Sequence, residues 1–141
     1  MTRECHVRFR EGAGVKLPRA TRPTGFRYSG VENYFAVARL AVREMHRQVG
    51  DLEMDARGVA QRGLLVRHLV LPNGLAGTTG AVAFLAELSP RTYINVMAQY
   101  RPCYRASEYP ELSRRPSRAE ISEAVALARA AGLRLDGIDT A

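Results

Sequence analysis

The run Gly63–Pro72, GLLVRHLVLP, constrains this chain more than any other stretch. It is almost continuously apolar, and Pro72-Asn73-Gly74 closes it with residues that favour a turn. A membrane-spanning helix needs about 20 apolar residues, twice what is present. A run of this length and composition predicts a strand buried on both faces, as in a parallel sheet. Parallel neighbours cannot be joined by a tight hairpin, so helices are expected on either side of it.

The flanking sequence supplies them. Tyr34, Ala38, Ala41 and Met45 recur at spacings of four, three and four, and Phe35 and Val42 widen that stripe. Arg39, Arg43, Glu44, His46 and Arg47 are expected on the solvent side of the same helix. Ser29-Gly30-Val31-Glu32 fits a capping box at its start, and Gly50 fits its end. Residues 52–60 read as a short hairpin or turn around Asp55–Gly58. Thr78–Leu88 reads as a helix with Val82, Leu85 and Leu88 inward, and Thr92–Gln99 as a second strand. Residues 100–116 form a loop rich in Arg, Tyr and Pro. Ser117-Arg118-Ala119-Glu120 repeats the capping box and opens a last helix, with Ile121, Ala124, Val125 and Ala128 on one face and Gly132 beyond its end.

The order helix, strand, helix, strand, helix predicts an α/β fold with parallel strands. Two organisational parts are expected: an irregular, basic, poorly ordered segment at 1–28 and an α/β domain at 29–141. Only two core strands are evident, too few to close a barrel of more than about 200 residues. The domain reads as a slice of something larger.

Charge and cysteine content narrow the function classes. The net charge of +7 suggests nucleic acid until it is divided along the chain. Residues 1–30 hold seven basic and two acidic side chains, whereas residues 31–141 hold 14 basic and 12 acidic ones. The folded part is therefore nearly balanced, and the excess belongs to a short arm. With 46% hydrophobic residues the chain is too apolar for a disordered protein. Cys5 and Cys103 are too far apart to suggest a disulfide framework or a zinc site. The start MTRECHVRFR has no apolar segment of the signal-peptide kind. The expected setting is cytoplasmic, with free thiols and no membrane span.

Strand alternation selects the residues able to carry chemistry. In the first strand Leu65, Arg67, Leu69 and Leu71 share a face; in the second, Asn95, Met97 and Gln99 do. Ile94, Val96 and Ala98 form the opposite face and should pack under helices. Arg67, Asn95 and Gln99 then project away from the helices, toward the interior if these strands line a barrel. An arginine buried there needs a carboxylate or an anionic ligand, because an unpaired buried charge costs several kcal/mol. The competing reading pairs Arg67 with a structural carboxylate or lets it reach solvent at a sheet edge. His6, His46 and His68 have no metal-ligand spacing. Cys103 follows a strand, but no histidine is placed by sequence to activate it. Tyr93, Tyr100, Tyr104 and Tyr109 surround Arg101 and Arg105, either as a stacking surface for a base or as the cover of a core.

GLLVRHLVLPNGL, and after a helix TYINVMAQYRPCYRASEYPELSRRPSRAEISEAVALARAAGL, resemble the end of bacterial radical S-adenosylmethionine proteins related to pyruvate formate-lyase activating enzyme. NYFAVARLAVREMHRQVGDL fits as well, so the resemblance covers about residues 28–135, and R-H-L-V-L-P and M-x-Q-Y-R-P are its most specific pieces. It implies a partial (βα) barrel, a 4Fe-4S cluster and S-adenosylmethionine. It also implies reductive cleavage of S-adenosylmethionine to a 5′-deoxyadenosyl radical, with a glycine of a partner protein as target. Arg67 and Gln99 match positions near the cofactor in such proteins; Asn95 rests on alternation alone. The implied catalytic residues fall outside this sequence.

The chain departs from that family at its signature, CxxxCxxC. Counting from Cys5, the next ligands would be Phe9 and Gly12; counting from Cys103, Ser107 and Pro110. No metal ligands are therefore expected here, and the chain reads as a truncated or wrongly started gene product. Two functions compete: part of a radical S-adenosylmethionine enzyme, or a small basic α/β module that binds nucleic acid through residues 1–28.

Overall fold

The computed structural model describes residues 27–28 and 30–135. The expectations for residues 1–26, including Cys5 and His6, and for Ser29 as a helix cap lie outside the described residues.

Helix α1 spans Tyr34–Val49 and ends at Gly50, whose N–H donates to the His46 carbonyl at 2.7 Å. It begins later than the capping-box reading predicts. Gly30 (φ 67°) and Asn33 (φ 64°) both take left-handed backbone, so no continuous helix runs through 30–33, and Asn33 stands at the N-cap position. Strands β1 (Glu53–Met54) and β2 (Ala60–Arg62) form the expected antiparallel hairpin. Its turn is held by Asp55, whose Oδ1 accepts the backbone N–H groups of Arg57 and Val59, both at 2.9 Å.

Strand β3 (Leu65–Leu69) leads through the turn Pro72–Gly74 into helix α2 (Thr78–Leu88), then strand β4 (Tyr93–Met97). Two short turns of 3-10 helix, Tyr104–Glu108 and Pro110–Leu112, organise the long loop. Helix α3 (Arg118–Ala130) starts with the predicted capping box: Ser117 Oγ accepts from the Glu120 N–H, and the Glu120 carboxylate accepts from the Ser117 N–H. Strand β5 (Arg134–Leu135) follows. The fold is α/β, with an all-parallel sheet in the order β3-β4-β5. Two-residue β5 has no sequence period, which is why alternation misses it.

The core lies between one face of the sheet and the helices. Ile94 and Val96 from β4 meet Val82, Phe84 and Leu85 from α2 and Ala124, Val125 and Ala128 from α3. Burying such side chains contributes about 1.5–3 kcal/mol each for the larger ones. The other face is partly open among the described residues: Tyr93 is buried there, but β3 is not buried on both faces as its composition predicts. Leu65 is 43% exposed and Arg67 is exposed. Strand β4 also ends at Met97, leaving Gln99 two residues beyond the ladder.

Helix α1 is oriented largely as its stripe predicts. Phe35, Ala38, Ala41, Val42 and Met45 are half-buried, and Arg39, Arg43 and Arg47 are exposed; Tyr34, Glu44 and His46 depart from the expectation. Arg39 and Arg43, expected in solvent, lie over the Phe84 ring at 5.2 and 5.4 Å. Arg39 donates to the Gly80 carbonyl at 3.2 Å and Arg43 pairs with Glu87 at 3.0 Å. Tyr34, from the predicted stripe, and Val37 and Leu40, outside it, stand 56, 49 and 60% exposed. Phe35 lies against Gly77 and Val42 against the core. Arginine stems and cationic heads suit the Phe84 ring, so Arg39 and Arg43 flank the inward stripe while remaining exposed. No helix among the described residues is long and apolar enough to cross a membrane.

Candidate functional site

Parallel pairing of β3 and β4 sets Arg67 directly beside Asn95, with Leu65–Tyr93 and Leu69–Met97 on either side in the same register. These four residues and the Arg67–Asn95 pair make one face of the sheet, opposite Ile94 and Val96. The strands therefore bring two of the three predicted site residues together. Gln99, exposed beyond the end of β4, is not in this ladder.

Arg67 is exposed, so the burial argument made for it from the strand pattern does not apply. Among the described residues no carboxylate lies within ion-pair distance of it. The structural-carboxylate reading is not realised, and Arg67 reaches solvent from an edge strand. Asn95 is half-buried and engaged in the structure.

The histidines face elsewhere. His68, on the helix side of β3, places Nε2 2.9 Å from Thr78 Oγ1 and so ties the strand to the start of α2. Burial pushes its pKa down, which favours the neutral ring. His46, expected in solvent, is half-buried with Nε2 2.9 Å from Asp51 Oδ1. That hydrogen bond is the main cause holding the Asp51 carboxyl below its ordinary value, and Arg91 adds to it at 4.0 Å.

The tyrosines do not form a common stacking surface. Tyr93 is buried with the Arg134 guanidinium 5.2 Å from its ring centre. Tyr100 donates to the Leu112 carbonyl at 2.8 Å, and Tyr109 meets Tyr28 edge-on at 5.1 Å. Tyr104 is exposed, and Arg105 is taken by Glu108 at 2.7 Å. Cys103 is an exposed free thiol.

Sequence reasoning missed a charged network at the far end of α2. Glu120 accepts from Arg114 with both oxygens, from the Asn73 N–H at 2.6 Å and from the Ser117 N–H at 2.6 Å. These bonds, Arg114 first, hold its carboxyl far below the ordinary range. The Ser117/Glu120 spacing was a visible signal for the cap, but the reach to Asn73 across 47 positions was not. A cleft of about 160 Å³ opens beside this network, between Thr78, Thr79 and Gly80 of α2 and Glu123 and Leu127 of α3. Glu120 is already saturated by donors there and offers no free oxygen pair to a cation. Among the described residues no group of three or more His, Cys, Asp or Glu side chains is placed to hold a metal ion.

The fold and the Arg67–Asn95 face define an α/β protein with an open parallel sheet. Over 105 residues, 74% of its length, the chain is 36% identical to an uncharacterized protein of Methanocaldococcus jannaschii. It spans only 27% of the length of that curated relative. No family model matches the chain, and no solved structure does.

Proposed function

We propose that this chain forms part of the wall of a radical S-adenosylmethionine barrel and contributes to holding S-adenosylmethionine rather than the iron–sulfur cluster. The observation that carries this is the pairing of Arg67 with Asn95 on the sheet face that no helix covers. A guanidinium without a carboxylate partner suits an anionic group of a ligand, and a neighbouring amide can both donate and accept. The parallel β3-β4-β5 order is compatible with one sector of a partial barrel, and the residues of that sector resemble the activating-enzyme family at R-H-L-V-L-P and M-x-Q-Y-R-P.

The donor set does not fit a 4Fe-4S cluster. Such a cluster is held by several thiolates brought together, and the two cysteines of this sequence are 98 positions apart. The family's chemistry, formation of a 5′-deoxyadenosyl radical aimed at a glycine of a partner protein, therefore needs ligands from outside this chain, and no reaction step is assigned to its residues. Gln99, outside the ladder, is a lesser candidate for cofactor contact.

The test joins binding to stability. In a protein that carries both this segment and the cysteine motif, Arg67→Ala should weaken S-adenosylmethionine binding by about 1.5–3 kcal/mol, the worth of a charge-assisted hydrogen bond. Its unfolding midpoint should stay within about 0.5 kcal/mol of the parent, as expected of an exposed side chain with no partner. Unchanged affinity with lost stability would make Arg67 a structural residue. The 141-residue chain alone, treated anaerobically with iron and sulfide and then with dithionite and S-adenosylmethionine, should stay colourless and yield no 5′-deoxyadenosine.

A further inference from the structure

Two unfinished surfaces lie on one flank of the molecule. The first is the outer edge of β3: beyond the single bridge between Asp51 and Leu64, its ladder partner among the described residues is β4 alone. An unpaired edge exposes backbone donors and acceptors that another strand can satisfy. The second is the stripe Tyr34, Val37 and Leu40, which turns large apolar side chains outward from α1. Helix α2 joins β3 to β4 and α3 joins β4 to β5, so α3 lies toward the β5 side. Helix α1 ends at Gly50, whose carbonyl accepts from the Leu64 N–H at 3.0 Å beside the Asp51–Leu64 bridge, which puts the end of α1 at the β3 margin. Val42 and Val66 accordingly pack against the same core.

We propose that this flank docks one further strand-and-helix unit, the strand adding in parallel to β3 and the helix covering Tyr34, Val37 and Leu40. The proposal rests on the reading of the chain as a sector of a larger barrel, and names what adjoins it. The unit belongs to polypeptide of the kind that makes up most of the Methanocaldococcus jannaschii relative, of which the match covers 27%. A parallel strand is favoured because both ladders of the β3-β4-β5 sheet are parallel. A second copy of this chain fits less well. Pairing two β3 edges about a two-fold axis at their midpoint would set Arg67 beside its own copy, and like charges directly opposite are destabilising. The incoming helix also accounts for a second apolar stripe on α1: Phe35 and Val42 already meet the rest of the fold, and Tyr34, Val37 and Leu40 are left over.

The test uses the full 141-residue chain and, as probe, the polypeptide of that relative lying outside the matched segment, co-expressed and separated by size exclusion with light scattering. A one-to-one complex is expected, with the amides of Leu65–Leu69 exchanging about tenfold or more slowly than in the free chain. Tyr34→Glu with Leu40→Glu should weaken the complex at least about tenfold, since charges would then sit at the centre of an apolar contact. As a second measurement, the chain alone should bind an apolar fluorescent dye, and Tyr34→Ser with Leu40→Ser should remove most of that signal without lowering the melting temperature. No complex with the parent chain, a homodimer with protected β3 amides, or a parent chain that binds no dye would each overturn the proposal. A complex that forms but does not retain S-adenosylmethionine would keep the docking surface and sink the cofactor reading.

Discussion

At Gly63 the backbone has φ 101°, and a Cβ added there would overlap the carbonyl group of Asp51. The strain of that backbone and the clash act together, so Gly63→Ala should destabilise the fold by about 2–3 kcal/mol in chemical denaturation. A change below about 0.5 kcal/mol would mean the 50–52 segment can move aside. Nothing in the sequence marks this position, because its neighbour Asp51 meets it only through the fold. Thr92 makes the opposite case. It is almost wholly buried, and its Oγ1 has no hydrogen-bond partner. Thr92→Val keeps the shape and removes a stranded hydroxyl, so it should be neutral or stabilise by up to about 1 kcal/mol. A clear loss in the same assay would show that the hydroxyl is satisfied in solution. Arg67 lies between these cases: alternation read its face correctly, but its exposure depends on what else covers the sheet.

At the scale of elements, periodicity located the helices and found their inward faces, but not the neighbours those faces meet. The bounds of α2 were legible to the residue, and α3 announced itself through Ser117 and Glu120. In α1 the spacing chose the inward side, apart from Tyr34, but hydrophobic spacing does not say which neighbour a face meets. Phe84 was not foreseen as a partner: an aromatic ring accepts arginines at the margin of the contact, and Arg39 also reaches the Gly80 carbonyl. The ranking of substitutions should therefore invert the usual one. Arg39→Ala should cost about 1 kcal/mol through the lost ring contact and hydrogen bond. Leu40→Ala, one residue on and 60% exposed, should cost less than about 0.5 kcal/mol in the isolated chain. Equal effects, or a larger loss at Leu40, would show that α1 sits on α2 by its Leu40 side in solution.

For the molecule as a whole, the parallel α/β order was legible because its long elements carry strong periods; the open sheet face was not. Whether a face is covered depends on chain far from it in sequence, and GLLVRHLVLP has the composition of a strand covered on both sides. Its exposure, and that of Tyr34, Val37 and Leu40, follows from what the rest of the described chain leaves uncovered. The whole-molecule property that can be measured directly is acid sensitivity. Several carboxylates sit below their ordinary pKa: Glu120 through Arg114, Asp51 through His46, Asp55 through the Val59 N–H, and Glu44 through Arg47, the last at about 2. A depressed carboxylate pKa contributes stability that is present above the unfolded value and is lost as pH falls through the folded one. His68, held neutral by burial, has the same sign, since its folded pKa also lies below its unfolded value. Stability should thus begin to fall as pH drops through about 6.5, where unfolded histidine titrates, and fall more steeply below about 4, where free carboxylates do. Protonation also raises a net charge already at +7, adding self-repulsion that moderate salt should partly relieve. Melting temperatures measured from pH 7 to pH 3 check this, and His68→Gln should remove the early phase while leaving the later one. A melting temperature that stays level across the whole range would mean that neither His68 nor the carboxylate network is coupled to folding.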